Sequence, residues 1–433
     1  MTYQLPDYII YRCYSEECYI WNIKERKAFV FEESAFDVLR ILEKNGECSS
    51  EKIVDGLLEL YESVDNELVQ EHLKRLSSMG IIQQIDKKDS SQALSRAIVG
   101  RLVEKKQLAS VVFELTYSCN EKCKHCYVDN EFRNNRQAEM NKREIFAILD
   151  QLYESNVAWI TFTGGEVFNR EDAIEIIEYA ARKPFMIDVF SNGTKVSDSI
   201  MIRLAQCNLR TYQSSVYGSN ASIHDRITGL PGSFRKTVHV LKTLHNLGVQ
   251  TVMKSSIMED NFDDYDNLVR LASKIGCVLQ VSPSISPTMR GDQSKLHLRI
   301  DENKMRKLLF EEKIRKYEDF DDKMCDLTHT NICNAGFFSL NIDPYGDVYL
   351  CSNLGKSLGN LKHDNILEIW NHSETVKWWQ NSRRSDIKCF ADCQYSEECA
   401  FCPAQAYLES GDCFNKYDEA CIIAKVQKEI EEG

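Results

Sequence analysis

Three closely spaced cysteines are the residues of this chain that most clearly point to a chemistry. They are Cys119, Cys123 and Cys126, and they stand in the stretch TYSCNEKCKHCYV, residues 116–128. Thiolates hold iron–sulfur clusters, usually with one cysteine for each iron. These cysteines can therefore hold three irons of a 4Fe–4S cube and leave the fourth iron open to an exogenous ligand. Zinc sites usually have four ligands in paired spacing, and no fourth Cys or His follows at that distance, so the pattern favours a cluster.

The elements that must position these cysteines form an alternation of strands and helices from about residue 108 to residue 318. The cysteines follow the short apolar run VVFEL, residues 111–115, so they stand on the loop that leaves the carboxyl end of a strand. Such a βα repeat predicts a parallel sheet, and barrels of this kind carry their chemistry at the carboxyl ends of the strands. Further strands are predicted at 159–162, 185–190, 210–216, 250–255 and 278–281, with helices near 141–154, 171–182, 197–205, 234–247, 262–275 and 302–317.

The cysteine stretch resembles the cluster loop of the radical S-adenosylmethionine (radical SAM) enzymes. In that family the open iron chelates the amino and carboxylate groups of SAM, and an electron from the cluster cleaves the cofactor to a 5′-deoxyadenosyl radical. The repeat of strands and helices matches the open (βα)₆ barrel of the family, so the resemblance implies an α/β fold built on a partial (βα)₆ barrel. It also implies SAM as a cofactor and an external electron donor such as flavodoxin or ferredoxin.

The resemblance gives a meaning to glycine and polar residues at the ends of later strands. The GGE segment after the second strand binds the amino group of SAM in the family, and a glycine pair lets the backbone approach a ligand closely. Hydroxyl and amide groups after the third and fourth strands could meet the ribose and the carboxylate, and ordinary strand-end capping is the alternative. The predicted cofactor-binding residues are Gly164, Gly165, Glu166, Ser191, Asn192, Ser214 and Ser215.

The segment HDRITGLPGSF, residues 224–234, resembles the loop after the fourth strand in the peptide-modifying members of this family. A basic residue of that loop is often near the carboxylate of SAM, and the resemblance therefore makes Arg226 a further cofactor-binding candidate. Lys254 ends the fifth strand and is equally compatible with a solvated lysine. The sequence alone identifies no catalytic residue.

The chain from residue 319 to residue 433 is rich in cysteine. Cys333 and Cys351 enclose two predicted strands, FFSLNI and DVYL, joined by a DPYG turn in which Pro and Gly preset the turn angles. A hairpin brings its two ends together, so these two cysteines can bind one metal centre. Zinc is a rival to iron–sulfur clusters here, because paired cysteines are also typical of zinc sites. The other cysteines of the tail are Cys325, Cys389, Cys393, Cys399, Cys402, Cys413 and Cys421.

The spacing of the tail resembles the SPASM domain, which carries two auxiliary 4Fe–4S clusters and brings the expected total to three 4Fe–4S clusters. The ligands that the resemblance implies for the first auxiliary cluster are Cys333, Cys351, Cys402 and Cys325. Those implied for the second are Cys389, Cys393, Cys399 and Cys421, with Cys413 in reserve. The family's central run is usually C-x₂-C-x₅-C-x₃-C, whereas this chain has C-x₃-C-x₅-C-x₂-C, which puts the ligand pairing in doubt.

Residues 1–88 are predicted to form a unit of short strands and three helices. Strands are predicted at 8–14, 19–23, 28–31 and 81–85, and helices at 33–45, 49–61 and 66–79. This order resembles a winged helix-turn-helix and, in front of a radical SAM domain, the RiPP recognition element that binds the leader of a ribosomally made precursor peptide. That module adds the leader as an extra strand at its sheet edge, against its third helix. DNA binding and a structural cap are the alternatives, and an excess of acidic residues in the unit disfavours contact with phosphates.

The composition bounds the remaining possibilities. The chain has 433 residues, of which 43% are hydrophobic, and a net charge of −13 that argues against a nucleic-acid partner. It has no apolar run of transmembrane length and no secretory signal, so we expect no membrane partner and a cytoplasmic location. Residues 89–107 are polar and charged and are predicted to be a linker that contains a short helix. The predicted domains are therefore 1–88, 108–318 and 319–433, with 89–107 between the first two.

These features together predict a radical SAM maturase that takes hydrogen from a precursor peptide and installs a crosslink, with a cysteine thioether favoured. A carbon–carbon or carbon–oxygen crosslink, or hydrogen return that gives a D-residue, is compatible with the same sequence. A sulfatase-maturing dehydrogenase shares the barrel and the tail but is not expected to need a leader-binding module. A cluster-bearing peptide sensor without turnover is the non-enzymatic alternative, which the complete set of cluster cysteines and the GGE segment disfavours.

Overall fold

The computed structural model of the chain describes residues 2–6, 8–14, 17–25, 27–45, 48–61, 63–84, 101–134, 139–319 and 331–432. The elements in these ranges fall into three consecutive groups, of which the middle one forms a parallel sheet covered by helices. No helix in the described ranges is long and apolar enough to cross a membrane.

Residues 2–84, here called the N-terminal module, contain two antiparallel sheets and three helices. The elements are β1 (Thr2–Gln4), β2 (Ile9–Tyr14), β3 (Glu17–Asn22), β4 (Lys27–Glu32), α1 (Glu33–Asn45), β5 (Cys48–Ser49), α2 (Ser50–Leu58), α3 (Asn66–Ser78) and β6 (Gln83–Gln84). One sheet has the strand order β2–β3–β4 and the other has the order β5–β1–β6. The predicted order of strands and helices is confirmed. The sequence pattern missed β1 and β5, because strands of two or three residues are too short to show a periodicity.

Helices α2 and α3 begin at short polar side chains that cap them. The Ser49 hydroxyl accepts a hydrogen bond from the amide of Lys52 at 3.4 Å, and the Asp65 carboxylate accepts one from the amide of Glu67 at 2.9 Å. Such caps pair amide groups that the first turn of a helix leaves without a partner. The sequence SSEK therefore predicted the start of α2 correctly.

Six parallel strands form the barrel sheet, in the order β12–β11–β10–β9–β8–β7. The predicted strands and helices are confirmed, whereas the short helices α4 and α8 were not predicted. In β7 the residues Val111, Phe113 and Leu115 are fully buried in the hydrophobic core, so the alternate residues face the lumen of the barrel. The elements of this part are β7 (Ser110–Thr116), α4 (Asn130–Asn134), α5 (Lys142–Glu154), β8 (Trp159–Gly164), α6 (Ala173–Ala181), β9 (Met186–Phe190), α7 (Asp198–Gln206), β10 (Thr211–Ser215), α8 (Ala221–Thr228), α9 (Ser233–Asn246), β11 (Thr251–Ser256), α10 (Tyr265–Ile275), β12 (Val278–Ser282) and α11 (Glu302–Asp319).

The cysteine-rich tail adds three strands to this same sheet. Its elements are β13 (Ser339–Ile342), β14 (Asp347–Tyr349), β15 (Gly359–Asn360), α12 (Ile366–His372), α13 (Glu374–Asn381), α14 (Pro403–Ser410) and α15 (Asp418–Glu432). The predicted hairpin is confirmed as β13 and β14, which pair antiparallel. Strand β13 also pairs in parallel with β7, from Ser110 to Phe113, so the sheet has nine strands with β12 and β15 at its edges.

The N-terminal module packs against the amino ends of the barrel strands. Ile10, Tyr14 and Trp21 of its β2–β3–β4 sheet share a buried cluster with residues that precede or begin β7, β8 and β9. The buried guanidinium of Arg12 donates hydrogen bonds to the carbonyls of Val157, at 3.2 Å, and of Pro184, at 2.6 Å. The module is therefore at the end of the barrel opposite the loop that carries the three close cysteines.

Candidate active site

The carboxyl ends of the barrel strands surround a cavity of about 220 Å³, here called the strand-end cavity. Side chains of the loop after β7, of the β8 and β9 ends, and of β10 and β11 form its wall. The structure thus brings together residues from Cys119 to Lys254, which are 135 positions apart in the sequence. Of the predicted site residues, those that line the cavity are Cys119, Cys123, Cys126, Gly164, Gly165, Ser191, Asn192, Ser214 and Ser215.

The three cysteine side chains stand on one loop, residues 117–128, here called the cluster loop. Cys123 Sγ lies 3.4 Å from a carboxylate oxygen of Glu121, and the amide nitrogen of Asn192 lies 4.0 Å from Cys119 Sγ. Burial raises the pKa of Cys119 to about 12, so a thiolate here calls for a bound positive charge such as iron. Three sulfur donors and the glycine pair of the GGE segment line the same cavity. The residues therefore fit an iron–sulfur cluster with one open iron.

Backbone hydrogen bonds from the end of α8 hold the cluster loop. The amides of Lys122 and Lys124 donate to the carbonyls of Thr228, at 2.8 Å, and of Ile227, at 3.0 Å. The carboxylate of Asp225 in turn accepts hydrogen bonds from the amides at positions 232 and 234 and so closes the turn between α8 and α9. The segment HDRITGLPGSF therefore positions the cluster loop through its backbone.

The structure places Arg226, a predicted cofactor contact, outside the strand-end cavity. The Arg226 side chain is exposed, lies outside the lining of the strand-end cavity, and donates a hydrogen bond to the carbonyl of Asp260 at 3.0 Å. The physical reason is the helix: α8 turns Ile227 toward the interior and leaves Arg226 on the solvent side. A helix of eight residues in this loop was not predicted, so the sequence gave no face on which to place the arginine.

The two glycines of the GGE segment lie directly against the exit of β7. The amide of Gly165 donates to the carbonyl of Thr116 at 2.7 Å. A Cβ on Gly164 would lie 2.2 Å from that same carbonyl oxygen, and Gly164 has a φ of +131°, which disfavours other residues. A Cβ on Gly165 would lie 2.5 Å from the carbonyl oxygens of Tyr117 and Ser118. Both positions therefore require glycine for the close approach to the cluster loop.

Glu166 is fully buried and is not one of the residues that line the strand-end cavity. Its fully buried carboxylate accepts hydrogen bonds from the amides of Phe168, at 2.9 Å, and Asn192, at 2.6 Å, and from the hydroxyl of Ser191, at 2.7 Å. Burial raises the pKa of Glu166, and these hydrogen bonds lower it. Ser214 donates its hydroxyl to the carbonyl of Ser191 at 2.5 Å. The Glu166 carboxylate therefore ties the end of β8 to the end of β9, and cofactor binding by this residue stays a prediction.

The tail cysteines gather into two groups in the structure. The pKa of Cys333 is raised to about 12, chiefly by burial and also by the charges of the Cys351 and Cys402 thiols, so these three lie near one another. Cys325, the predicted fourth ligand of this group, lies outside the described residues. The pKa of Cys399 is raised to about 11, chiefly by burial, and Arg384 opposes this rise. The thiols of Cys421, Cys389 and Cys393 also contribute to the rise, so these cysteines form the second group.

Cys413, held in reserve for the second group, lies closer to the first. Burial raises its pKa, the neighbouring Asp412 adds to this effect, and the thiol that acts on it is that of Cys402. This arrangement supports Cys421 as the fourth ligand of the second auxiliary cluster, which stays a prediction.

Two family models match the chain. Residues 113–272 match the Radical SAM superfamily, and residues 333–403 match SPASM, an iron–sulfur cluster-binding domain. The chain is a radical SAM enzyme with a SPASM domain. The SPASM match favours iron–sulfur clusters over zinc in the tail.

Similar proteins agree with this assignment. The antilisterial bacteriocin subtilosin biosynthesis protein AlbA of Bacillus subtilis is 28% identical over 334 residues, which are 73% of this chain and 71% of AlbA. An AdoMet-dependent heme synthase of Nitratidesulfovibrio vulgaris is 26% identical over 331 residues, 70% of this chain and 89% of the synthase. The crystal structure of Streptococcus suis SuiB bound to the precursor peptide SuiA has a TM-score of 0.67 at 16% identity. It covers 97% of this chain and 99% of SuiB, so the whole fold is shared, including the N-terminal module.

Several residues that line the strand-end cavity were not among the predicted contacts. His125 lies between two cysteines of the cluster loop, lines the cavity, and contacts Tyr217 edge-to-face with ring centroids 4.6 Å apart. Phe190 and Gln213 also line the cavity, as does Lys254, for which the sequence was equally compatible with a solvated lysine. Alternation along the strands is the signal that could have found them, because Gln213 stands two residues before Ser215 on the same face of β10.

Glu114 of β7 joins the cluster loop to the SPASM domain. Its buried carboxylate accepts hydrogen bonds from the hydroxyls of Tyr127, at 3.0 Å, and Tyr117, at 3.1 Å, and from the amide nitrogen of Asn341, at 2.9 Å. Tyr127 directly follows the third cluster cysteine, and Asn341 belongs to β13. One side chain thus fixes the cluster loop relative to the β13–β14 hairpin.

Proposed function

We propose that this chain is a maturase that modifies a ribosomally made precursor peptide and that its product is a thioether formed by a cysteine of that peptide. The observation that carries the proposal is the presence in one chain of a radical SAM cavity and an N-terminal module with an unpaired sheet edge. Relatives support the same class, since AlbA is a biosynthesis protein of a bacteriocin and SuiB binds a precursor peptide.

The leader of the precursor binds at the outer edge of β4, against α3. In the described part of the chain β4 pairs only with β3, so its other edge can accept a further strand. Phe31 of β4 contacts the ring of His72, and Arg75 lies 5.8 Å from the Phe31 ring centroid, so α3 flanks this edge. Leu68, one turn before His72 on α3, is 65% exposed and offers an apolar contact to a bound strand.

The position of the module sets a minimum length for the peptide between its leader and its modified residue. The module is at the amino ends of the barrel strands and the cavity is at their carboxyl ends. Strand β7 has seven residues, which span about 23 Å, and the peptide must also pass the rim of the barrel. We therefore expect roughly ten or more extended residues between the two points, at about 3.3 Å each.

The chain supplies ligands, orientation and exclusion of water for the reaction. The cluster loop holds the SAM cluster, and the two tail groups hold the auxiliary clusters, with electrons from a donor such as flavodoxin or ferredoxin. When bound, SAM would supply hydrogen-atom removal and a cluster would accept one electron. One C–H and one S–H bond of the peptide are then replaced by a C–S bond: the carbon loses a hydrogen atom, the thiol loses a proton, and one electron passes to a cluster. The buried walls of the strand-end cavity keep this chemistry away from solvent.

Co-expression with a candidate precursor, encoded by a short open reading frame sought beside the gene, tests the reaction. We expect the peptide mass to fall by two hydrogen atoms for each thioether, and fragmentation to place the bond between a cysteine sulfur and a carbon. A crosslink without cysteine would move the assignment to a carbon–carbon or carbon–oxygen bond, and an unchanged mass with a D-residue would indicate epimerisation. An unmodified peptide, with SAM cleavage intact, would refute the proposal.

Leader binding is tested separately by fluorescence anisotropy with labelled leader peptide. We expect Leu68→Asp and deletion of residues 1–88 to remove most of the affinity while SAM cleavage without peptide persists. Leu247→Asp is the matched control, because Leu247 is also exposed and lies on the barrel rather than on α3. Equal affinity of all variants would reduce the N-terminal module to a structural cap.

A further inference from the structure

Lys254 carries a positive charge in the strand-end cavity that the protein does not pair. It ends β11, lines the cavity, and its Nζ lies 3.8 Å from the ring centroid of Phe190. Among the described residues no carboxylate forms an ion pair with it, and the nearest acid, Asp188, accepts hydrogen bonds from Trp159 and Arg210. A partly buried ammonium without an anionic partner is unfavourable, and a bound anion removes that cost.

Burial also changes the protonation of this lysine. It lowers the pKa of Lys254 to about 8; the charge of Asp188 acts in the opposite direction and that of Arg210 adds to the lowering. The Lys254 side chain is therefore still protonated near neutral pH, although the protein offers little stabilisation of its charge. We expect an ammonium group in this state to pair with an anionic group of a bound ligand.

The neighbours of Lys254 form a polar row across the sheet. In the strand register Ser215 of β10 lies beside Lys254, and Gln280 of β12 lies on its other side. Residues paired in a parallel sheet face the same way, so all three side chains point into the lumen. Ser215 lines the cavity, whereas Gln280 is exposed at the edge strand β12. The row therefore leads from the SAM site to the open edge of the barrel.

The position of this polar row indicates whether Lys254 pairs with the carboxylate of SAM or with a carboxylate of the peptide. The carboxylate of SAM is expected at the open iron, next to the cluster loop after β7 and the glycine pair after β8. Lys254 is on β11, three strands farther along the sheet than β8, and its neighbour Gln280 on β12 is exposed at the edge of the sheet. A carboxylate that arrives by this route belongs to the peptide.

We propose that Lys254 is a substrate-binding residue that pairs with a carboxylate of the peptide, either an Asp or Glu side chain close to the modified position or the C-terminal carboxylate. This inference rests on the proposed maturase function and deepens it, since it states what a peptide must carry to be accepted at the barrel edge. Ser215 and Gln280 flank the same group with neutral hydrogen bonds.

The first experiment separates the peptide from the cofactor. SAM affinity and SAM cleavage without peptide are measured for reconstituted wild type, Lys254→Met and Lys254→Arg, with Lys274→Met as a control at an exposed lysine of α10. We expect all values to agree within about twofold, because no contact to SAM is lost. A loss of SAM affinity in Lys254→Met that Lys254→Arg restores would assign the partner to the SAM carboxylate and overturn the proposal.

The second experiment uses the co-expressed precursor and its variants, each with one Asp or Glu changed to Asn or Gln, together with a synthetic form with an amidated C-terminus. Hydrogen bonds to charged groups contribute about 1.5–3 kcal/mol, so Lys254→Met should lower kcat/KM for the peptide about 10- to 150-fold. One precursor variant should show the same loss with wild-type enzyme and no further loss with Lys254→Met. Lys254→Glu with the corresponding Asp→Lys precursor should recover part of the activity.

The outcomes distinguish a failure of the proposed maturase function from a failure of the proposed role of Lys254. A wild-type enzyme that leaves the precursor unmodified overturns the maturase function and this inference with it. Modification by wild type, with Lys254→Met equal to Lys274→Met, overturns only the role of Lys254. Iron content and circular dichroism accompany each variant, and Lys254→Arg gives a second, more conservative substitution if Lys254→Met does not fold.

Discussion

Gly165→Ala tests whether the close approach of the GGE segment to the cluster loop positions the SAM site. A Cβ at Gly165 would lie 2.5 Å from the carbonyl oxygens of Tyr117 and Ser118, whereas ordinary contacts begin at 3.4 Å. The two segments must therefore separate by the difference, about 0.9 Å. Overpacking of this kind costs about 1–3 kcal/mol of stability. A displacement of about 1 Å in a catalytic arrangement can lower the rate about 100-fold.

The assay is formation of 5′-deoxyadenosine by anaerobically reconstituted enzyme with dithionite as reductant. We expect Gly165→Ala to lower this rate about 10- to 100-fold and to weaken SAM binding, while the iron content is unchanged because no ligand is removed. Gly355→Ala is the matched control, since no heavy atom lies within 4 Å of the Cβ that it introduces. Gly164→Ala should be the more damaging change, because the φ of +131° at Gly164 adds backbone strain.

A rate for Gly165→Ala within about twofold of Gly355→Ala would refute the reasoning. It would mean that the GGE segment and the cluster loop can separate without consequence for the cavity. A large loss of iron would refute it in another way, since it would show that the segment holds the cluster itself rather than the geometry of SAM.

Three further predictions follow from the ligands and from Glu114. Replacement of all three cluster-loop cysteines by Ala should remove about four irons and abolish 5′-deoxyadenosine formation; continued formation would contradict the assignment. Cys421→Ala should lower the iron content and peptide modification while SAM cleavage partly persists, and Cys413→Ala should do neither; the reverse result would move the ligand to Cys413. Glu114→Gln should lower stability by about 1–3 kcal/mol in thermal unfolding, because an amide NH₂ would face hydrogen-bond donors. The exposed Glu171→Gln is its control, and equal melting temperatures would argue against the role of Glu114.

The barrel could be predicted because its strands are local signals. Runs such as VVFEL and WITFT are short, apolar and bounded by polar residues, and the observed strands begin and end within a few residues of the predicted ones. The thiols of the cluster loop and the GGE glycines could be placed for the same reason, since each directly follows a strand. The chemistry at strand ends thus depends on short stretches of sequence.

The parts that could not be predicted depend on contacts between distant segments. The pairing of β13 with β7 joins residues more than two hundred positions apart, and nothing in either strand specifies that partner. The structural roles of the Glu166 and Glu114 carboxylates could not be predicted for the same reason. They depend on hydrogen bonds to β9 and to β13. The position of Arg226 outside the strand-end cavity could not be predicted, because the orientation of a side chain on an unpredicted helix cannot be assigned from its charge.

The pairing of β7 with β13 has a consequence for recombination between relatives. A chimera cut near residue 319 would expose the backbone edge of β7 from Ser110 to Phe113, and unpaired edges of this kind recruit other chains. Barrel and SPASM domain must therefore be inherited or engineered as one piece. The N-terminal module shares no sheet with the barrel and meets it through side chains such as Arg12. Recombinants that keep those contacts and replace the rest of the module would test whether the proposed leader specificity can be exchanged on this scaffold.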